Sequence, residues 1–387
     1  MNVPEGPARR SGPLRGVKVV EIASVGPGPH AAMTLADLGA DVIRIDRPGR
    51  VWSPGESDFD LLTRGRPSVV LDLKKAAAVE ATLTLVERAD VLIEGMRPGV
   101  MERLGLGPDE CSARNPALVY ARMTGWGQDG PWAHVAGHDL TYIAVAGVLH
   151  GLGQQPSRPH FPSNLIGDFG GGSLYLVVGI LAALLEARAS GRGQVVDAAI
   201  VDGAAHLNAM YAGFVGSGIA TQERASNVLD GGAPYYAVYE TADGRHMAVG
   251  SLEPDFYRQL LHGLGLDGEV AAREDPTRSA ALREKIATRF RQRTQAEWCA
   301  VFDGTDACVA PVLPLAEAAR HPHVEARQTY VEREGILQPA PAPRFSRTPA
   351  VLTTGPSERG GDTRDALAAW GITNVEELIS SGAAHQA

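Results

Sequence analysis

Only three of the 387 residues are cysteine, and Cys111, Cys299 and Cys308 stand far apart with no CxxC pair among them. That spacing excludes a disulfide framework and a cysteine-based structural zinc site, and it suits a reducing compartment. Aromatic residues make up 6% of the chain and do not interleave with basic runs. With a formal charge of -9, this argues against a nucleic-acid or anionic-membrane partner. A long apolar run is missing too: the richest stretch, Leu174 to Leu185, is too short to span a bilayer. Arg9 and Arg10 are followed by no apolar segment of signal-peptide type, and the final Ala-Ala-His-Gln-Ala is no peroxisomal address. The expectation is a cytoplasmic protein that binds no metal and does not insert into a membrane.

What is present reads as an enzyme-sized globular chain, 44% hydrophobic and 21% charged, long enough for two or three domains with a large core. After a polar tail from Met1 to Gly12, strand and helix patterns alternate. Val17–Ile22 reads as a strand, Pro29–Leu38 as a helix and Asp41–Asp46 as a strand; Val69–Leu73, Lys75–Arg88, Val91–Ile93 and Leu118–Met123 continue the series. The alternation predicts an α/β fold with a mostly parallel sheet covered by helices. Residues 213–232, rich in Gly, Ser and Asn, read as a linker. Beyond it, Tyr235–Tyr239 and His246–Gly250 form a hairpin around Ala242–Arg245, with helical segments near Phe256–Leu261 and Ala280–Phe290. The expected layout is a large domain from 13 to 212, the linker, a small α+β domain from 233 to 325, and a return to the large domain over 326–387, with short surface helices between Asp362 and Ile379.

Gly26-Pro27-Gly28-Pro29-His30-Ala31 matches G-x-G-x-x-A after a strand, and Asp46 ends the next strand, as in a dinucleotide site. Two prolines in that loop remove N–H groups a pyrophosphate needs, which weakens the NAD reading. Asp168-Phe169-Gly170 spells the kinase metal motif, but no other kinase element accompanies it.

Chemistry concentrates between Gly137 and Gly172. His138 can exchange a proton near neutral pH. Asp168 sits among glycines that permit close approach of a substrate, in what reads as a loop feeding the buried helix after Ser173. The N–H groups at the start of that helix favour a developing negative charge. On residue types alone, a packed histidine and a helix-capping aspartate are the stronger reading.

The balance shifts because several motifs occur together: Gly26-Pro27-Gly28-Pro29, Arg44-Ile45-Asp46-Arg47-Pro48, Leu71-Asp72-Leu73-Lys74, Arg97-Pro98-Gly99, Tyr120 to Gln128, Gly137-His138-Asp139, Gly191 to Asp197 and Pro343-Arg344-Phe345-Ser346. In this order, from about Leu14 to Thr348, the chain resembles the family III CoA-transferase (CaiB/BaiF) superfamily and, within it, the α-methylacyl-CoA racemase branch.

The resemblance implies a Rossmann-like large domain, a smaller α+β domain and an interlocked homodimer. Its substrate is an acyl-CoA thioester, with CoA part of the substrate and no separate cofactor. CoA contacts are implied for Arg47, Leu71, Asp72, Leu73, Lys74, Gly95, Met96, Arg97, Arg103, Gly137, Asp139, Leu140, Thr141 and Tyr142. His138 and Asp168 are implied to face each other across the α-carbon, and Glu253 to orient or tune His138. Backbone near Asp168 is implied to hold the thioester oxygen. Asp139, adjacent to His138 in sequence, reads as a helix-start residue that faces elsewhere.

Abstraction of an α-proton gives an enolate, and its return from the opposite face inverts the centre, so two acid–base groups are needed. The alternative within the same family is CoA transfer, in which the aspartate attacks the thioester. A basic residue at position 138 favours the racemase; a silent CoA-binding protein is disfavoured because both bases are present. Branched fatty acyl, bile-acid-like and arylpropionyl groups all satisfy these motifs.

Overall fold

A computed structural model describes residues 11–49, 59–154 and 156–387. The N-terminal tail read from the sequence lies, up to residue 10, outside the described residues. The chain divides into two compact units: Met1–Ala146, Pro162–Leu207 and Ala326–Ala387 form unit 1, and Gly147–Phe161 with Asn208–Glu325 form unit 2. The segment expected to be a linker belongs to unit 2, and its first residues, 213–216, are the end of a helix, Ala209–Gly216. Gly147–Phe161, expected in the large domain, also belongs to unit 2.

Unit 1 is built on strands β1 (Lys18–Ile22), β2 (Asp41–Asp46), β3 (Ser68–Leu71), β4 (Val91–Glu94), β5 (Val119–Thr124) and β6 (Val195–Ala199). They are parallel, in spatial order β3-β2-β1-β4-β5-β6. Val19, Val42 and Val91 point to one face, where helices Pro27–Asp37 and Leu174–Ser190 supply Leu35, Leu176 and Ile180. Val20, Ile43 and Leu92 point to the other, against helix Ala76–Val86. Burial on both faces explains why apolar residues sit at consecutive positions in these strands, as in Val19-Val20, Val42-Ile43 and Val91-Leu92-Ile93, rather than alternating with polar ones.

The C-terminus departs from expectation. Helices Thr363–Ala369 and Val375–Ser380 are not surface decoration: Leu367, Trp370 and Leu378 join the core. The last strand of the chain, Ala384–His385, then pairs antiparallel with β3 and adds a seventh strand to the sheet.

The glycines around Asp168 are not a loop. Leu165–Ser173 is π-helical and runs directly into Leu174–Ser190. A Cβ on Gly171 would lie 2.6 Å from the Ala204 nitrogen, and one on Gly203 would lie 1.8 Å from the Gly171 oxygen. Bare backbone lets this segment press against helix Ile200–Leu207, so the glycines serve contact between helices. The continuous Leu165–Ser190 helix is long and apolar enough to cross a membrane by length and composition, which the shorter stretch read from the sequence was not. Its Leu176, Val177, Ile180, Leu184 and Ala187 are buried in the protein.

In unit 2 an antiparallel sheet, Tyr236–Glu240, His246–Gly250 and Val309–Pro311, packs against helices Pro254–Leu264, Ser279–Phe290 and Gln295–Phe302 through Tyr239, Leu260, Ile286, Phe290 and Trp298.

Candidate active site

With the sheet order above, ligands of doubly wound folds bind outside the carboxyl ends of the strands, where the order reverses between β1 and β4. A cavity of about 490 Å³ lies there, bordered by the segments that follow β1, β2, β4 and β5 and by Gly137, His138, Tyr142 and Asp168. One cavity thus brings His138 and Asp168 together.

Buried ion pairs hold its floor. Glu21, next to the last residue of β1 and fully buried, accepts from Arg66 Nε at 2.6 Å and from Arg44 at 3.0 Å. Arg44 also donates to Asp46 at 3.0 Å, and Ser68 donates to Asp46 at 2.8 Å. Asp46 borders the cavity, but its carboxylate is thereby committed to Arg44 and Ser68. Pro27 and Pro29 lie in the first turn of helix Pro27–Asp37, so the dinucleotide-like motif presents neither its carboxylate nor a full set of N–H groups. Across the cavity, buried Glu94 accepts from Met96 N–H at 2.6 Å and from Arg122 at 3.0 Å, which sets the path of Gly95-Met96-Arg97.

His138 is the N-cap of helix Asp139–Val145. Its N–H donates to Thr141 Oγ1 at 3.0 Å, and that hydroxyl donates to the His138 carbonyl at 2.7 Å, so the turn is tied from both sides. Tyr142 is wedged where a Cβ on Gly125 or Gly137 would fall 2.1 or 2.5 Å from its ring, and it meets Trp126 edge-on at 4.8 Å.

Asp168 is half-buried and accepts from Asn164 Nδ2 at 3.1 Å. Burial pushes its carboxyl above the usual carboxylate range; the Asn164 hydrogen bond opposes the rise, the Asp139 charge adds to it and the His138 charge opposes it. Asp139 is 5% exposed and accepts the Asp168 N–H at 2.7 Å. It therefore faces the Asp168 turn, not the cavity. Since the amide of Asp168 itself is committed in this way, an oxyanion held by nearby backbone must use a neighbouring donor.

Of the residues implied to contact CoA, Arg47, Leu73, Gly95, Met96, Arg97, Gly137 and Tyr142 line the cavity. Leu71 does not: it is fully buried in the core at the end of β3. Asp72 caps the following turn by accepting from Lys74 N–H at 3.2 Å. Lys74, Arg103, Leu140 and Thr141 are exposed and outside the cavity wall. Glu253 belongs to unit 2, where it is exposed at the N-cap of helix Pro254–Leu264. Asn164 is the residue that sequence reasoning missed; its place four positions before Asp168 in a helical segment was the available signal.

Comparison with known proteins gives the family. Residues 14–363 match the model of CoA-transferase family III. The chain is 45% identical over 372 residues to the α-methylacyl-CoA racemase of Mus musculus, covering 94% of this chain and 95% of that protein. It is 44% identical over 340 residues to the Homo sapiens protein of the same name, covering 87% and 88%. Among solved structures, a CaiB/BaiF family protein from Brucella suis superposes with a TM-score of 0.80 at 26% identity, covering 93% of this chain and all of that one. The chain belongs to CoA-transferase family III.

Proposed function

We propose that the protein is an isomerase that interconverts the (R) and (S) forms of 2-methylacyl-CoA thioesters. The observation that carries this reading is a basic residue, His138, and a carboxyl displaced upward, Asp168, on one cavity at the carboxyl ends of the sheet. One group removes the α-proton and the other returns a proton to the opposite face of the enolate. A carboxyl raised above its ordinary range loses and regains its proton closer to neutral pH, which suits a group that must act as base in one direction and acid in the other. The names of the two mammalian relatives support the same reaction.

Arg47 and Arg97 offer guanidinium groups for the phosphates of CoA, with Leu73, Met96 and Tyr142 beside its neutral arm. Glu253 is assigned to orient or tune His138. The reaction is assigned no metal or cofactor beyond the CoA of the substrate. An interlocked homodimer is assigned as the working form. Leu174, Val178 and Leu185 support it, as they leave an apolar stripe exposed on helix Leu174–Ser190. The protein is assigned to the cytoplasm and to fatty acid metabolism, without membrane insertion.

The test is incubation of each enantiomer in heavy water without an acceptor. Exchange of the α-hydrogen and approach to a mixture are expected. A strict need for a free carboxylate acceptor, with an acyl group trapped on Asp168, would establish CoA transfer instead. Light scattering at micromolar concentration is expected to give twice the 40.8 kDa chain mass.

A further inference from the structure

Asp139 stands next to one proposed base in sequence and is hydrogen-bonded to the backbone of the other, yet it touches neither the cavity nor solvent. Its Oδ1 accepts the Asp168 N–H at 2.7 Å across 29 positions of sequence. The approach needs glycine at 167, because a Cβ there would lie 2.4 Å from the same oxygen. Oδ2 is buried without a hydrogen-bond partner among the described residues. A half-satisfied carboxylate is a costly thing to bury, and the fold places it in the first turn of helix Asp139–Val145, whose dipole favours an anion there.

We propose that Asp139 is a positioning residue: its buried carboxylate ties the first turn that carries His138 to the π-helical turn that carries Asp168, and so fixes the aim of the Asp168 carboxyl.

The inference rests on the reaction proposed above only for its kinetic arm. Among the described residues, three titratable groups face Asp168. Asp139 and His138 come from the start of one helix. Tyr142, one turn further on, has its hydroxyl pushed up to about 12 by burial first and by the Asp168 charge second, with Arg97 opposing. Asn164 is the neutral partner from the π-helical side. Of these, Asp139 is the anion that raises Asp168, so its replacement moves the Asp168 titration in a defined direction, to lower pH. A residue that only filled space would leave that titration where it is.

The experiment uses full-length protein with Asp139→Asn, which keeps an acceptor oxygen and loses the charge, and Asp139→Ala, which loses both. Exchange of the α-hydrogen is expected to fall by about 10-fold to 100-fold in kcat for Asp139→Ala, with KM within about threefold, because a misaimed general base loses much of its 100-fold to 10,000-fold contribution. Asp139→Asn should recover most of that kcat while its acidic limb moves to lower pH. Carbon-13 NMR of aspartate carboxyls, with the Asp168 signal assigned by its loss in Asp168→Asn, should show the same downward shift in Asp139→Asn without any substrate. That arm reads the coupling even if the wild type proves to be a CoA-transferase, so failure of the assigned reaction and failure of this inference are separable. An unmoved Asp168 titration in folded Asp139→Asn would overturn the proposal. So would a rise in KM with kcat unchanged, since that is the signature of a CoA contact. Should Asp139→Ala fail to fold, the Asn variant alone decides.

Discussion

Two cavities among the described residues differ in size and in what lines them. The one in unit 1, about 490 Å³, presents Arg44, Arg47, Arg97, His138 and Asp168. The one in unit 2 is larger, about 920 Å³, and its lining is mostly apolar, with Met210, Phe214, Ile219, Leu229 and Val238 on its walls. Its one lining carboxylate, Asp230, is occupied within its own turn, accepting from Asn227 N–H at 2.9 Å, from Gly232 N–H at 3.0 Å and from Asn227 Nδ2 at 2.9 Å. Volume therefore does not mark the cavity proposed for the chemistry. What marks it is a desolvated titratable group that internal partners have left free to exchange a proton, and buried ion pairs beneath unit 1 supply the framework that allows one.

The strongest way to break this contrast is to remove the titratable groups. Asp168→Asn and His138→Gln are each expected to lower inversion by about 100-fold to 10,000-fold. Each should retain slow α-hydrogen exchange with only one enantiomer, and the two variants should differ in which one. Deuterium incorporation and configuration must be followed separately. Near-wild-type inversion in either variant would move the reaction away from this pair.

The second test sets the two cavities against each other through the Kd for free CoA, read by calorimetry. Arg97→Ala should weaken it by about 10-fold to 100-fold, the effect of removing a charged hydrogen-bonding partner worth about 1.5–3 kcal/mol. Phe214→Ala, in the unit 2 cavity, should leave it unchanged. A CoA affinity that follows Phe214 and ignores Arg97 would reverse the assignment of the cavities.

The alternation of strand and helix was legible because parallel strands buried on both faces show long apolar stretches, and helices between them show their own period. Short edge elements were not. Val195–Ala199 and Ala384–His385 are held by pairing with β5 and β3, and nothing in so few residues separates them from loop. In the site, the pairing of His138 with Asp168 came from the resemblance; both residues line one cavity. The partners of Asp168 lay beyond reach: Asn164 belongs to it only because the segment is helical, and Asp139 only because two helix starts meet. Three glycines in a row read as a loop feeding a helix, whereas their missing side chains serve close packing against helix Ile200–Leu207.

A smaller effect tests the raised carboxyl directly. Because burial first, and then the Asp139 charge, lift Asp168 in the folded state, the folded chain holds that proton at pH values where the unfolded chain, titrating near 3.9, has released it. Proton uptake then favours the folded form, and stability falls as pH rises from about 3.9 through the raised value. Asp168→Asn removes this term, so the variant should melt above the wild type at neutral pH and the gap should close at acid pH. For activity, the enantiomer that Asp168 deprotonates should lose rate as pH is lowered through that same raised value. Calorimetric melting that is equal for both proteins at neutral pH would remove desolvation as the cause.

The smallest expected effect sharpens the comparison within a single motif. Leu73 lines the unit 1 cavity, while Lys74, the next residue, is exposed and outside it. Arg97 lines it, while Arg103 is exposed beyond the next turn. Solvated surface charges are worth about 0–1 kcal/mol in pairwise interactions, so Lys74→Ala and Arg103→Ala should each raise the KM for acyl-CoA by no more than about threefold. The small effect should also shrink with added salt, as screening predicts, whereas the Arg97→Ala defect should persist. A tenfold rise for Lys74→Ala that survives 0.5 M salt would mean that this lysine makes a desolvated contact with the ligand, and that the wall of the cavity extends one residue further along the motif when CoA binds.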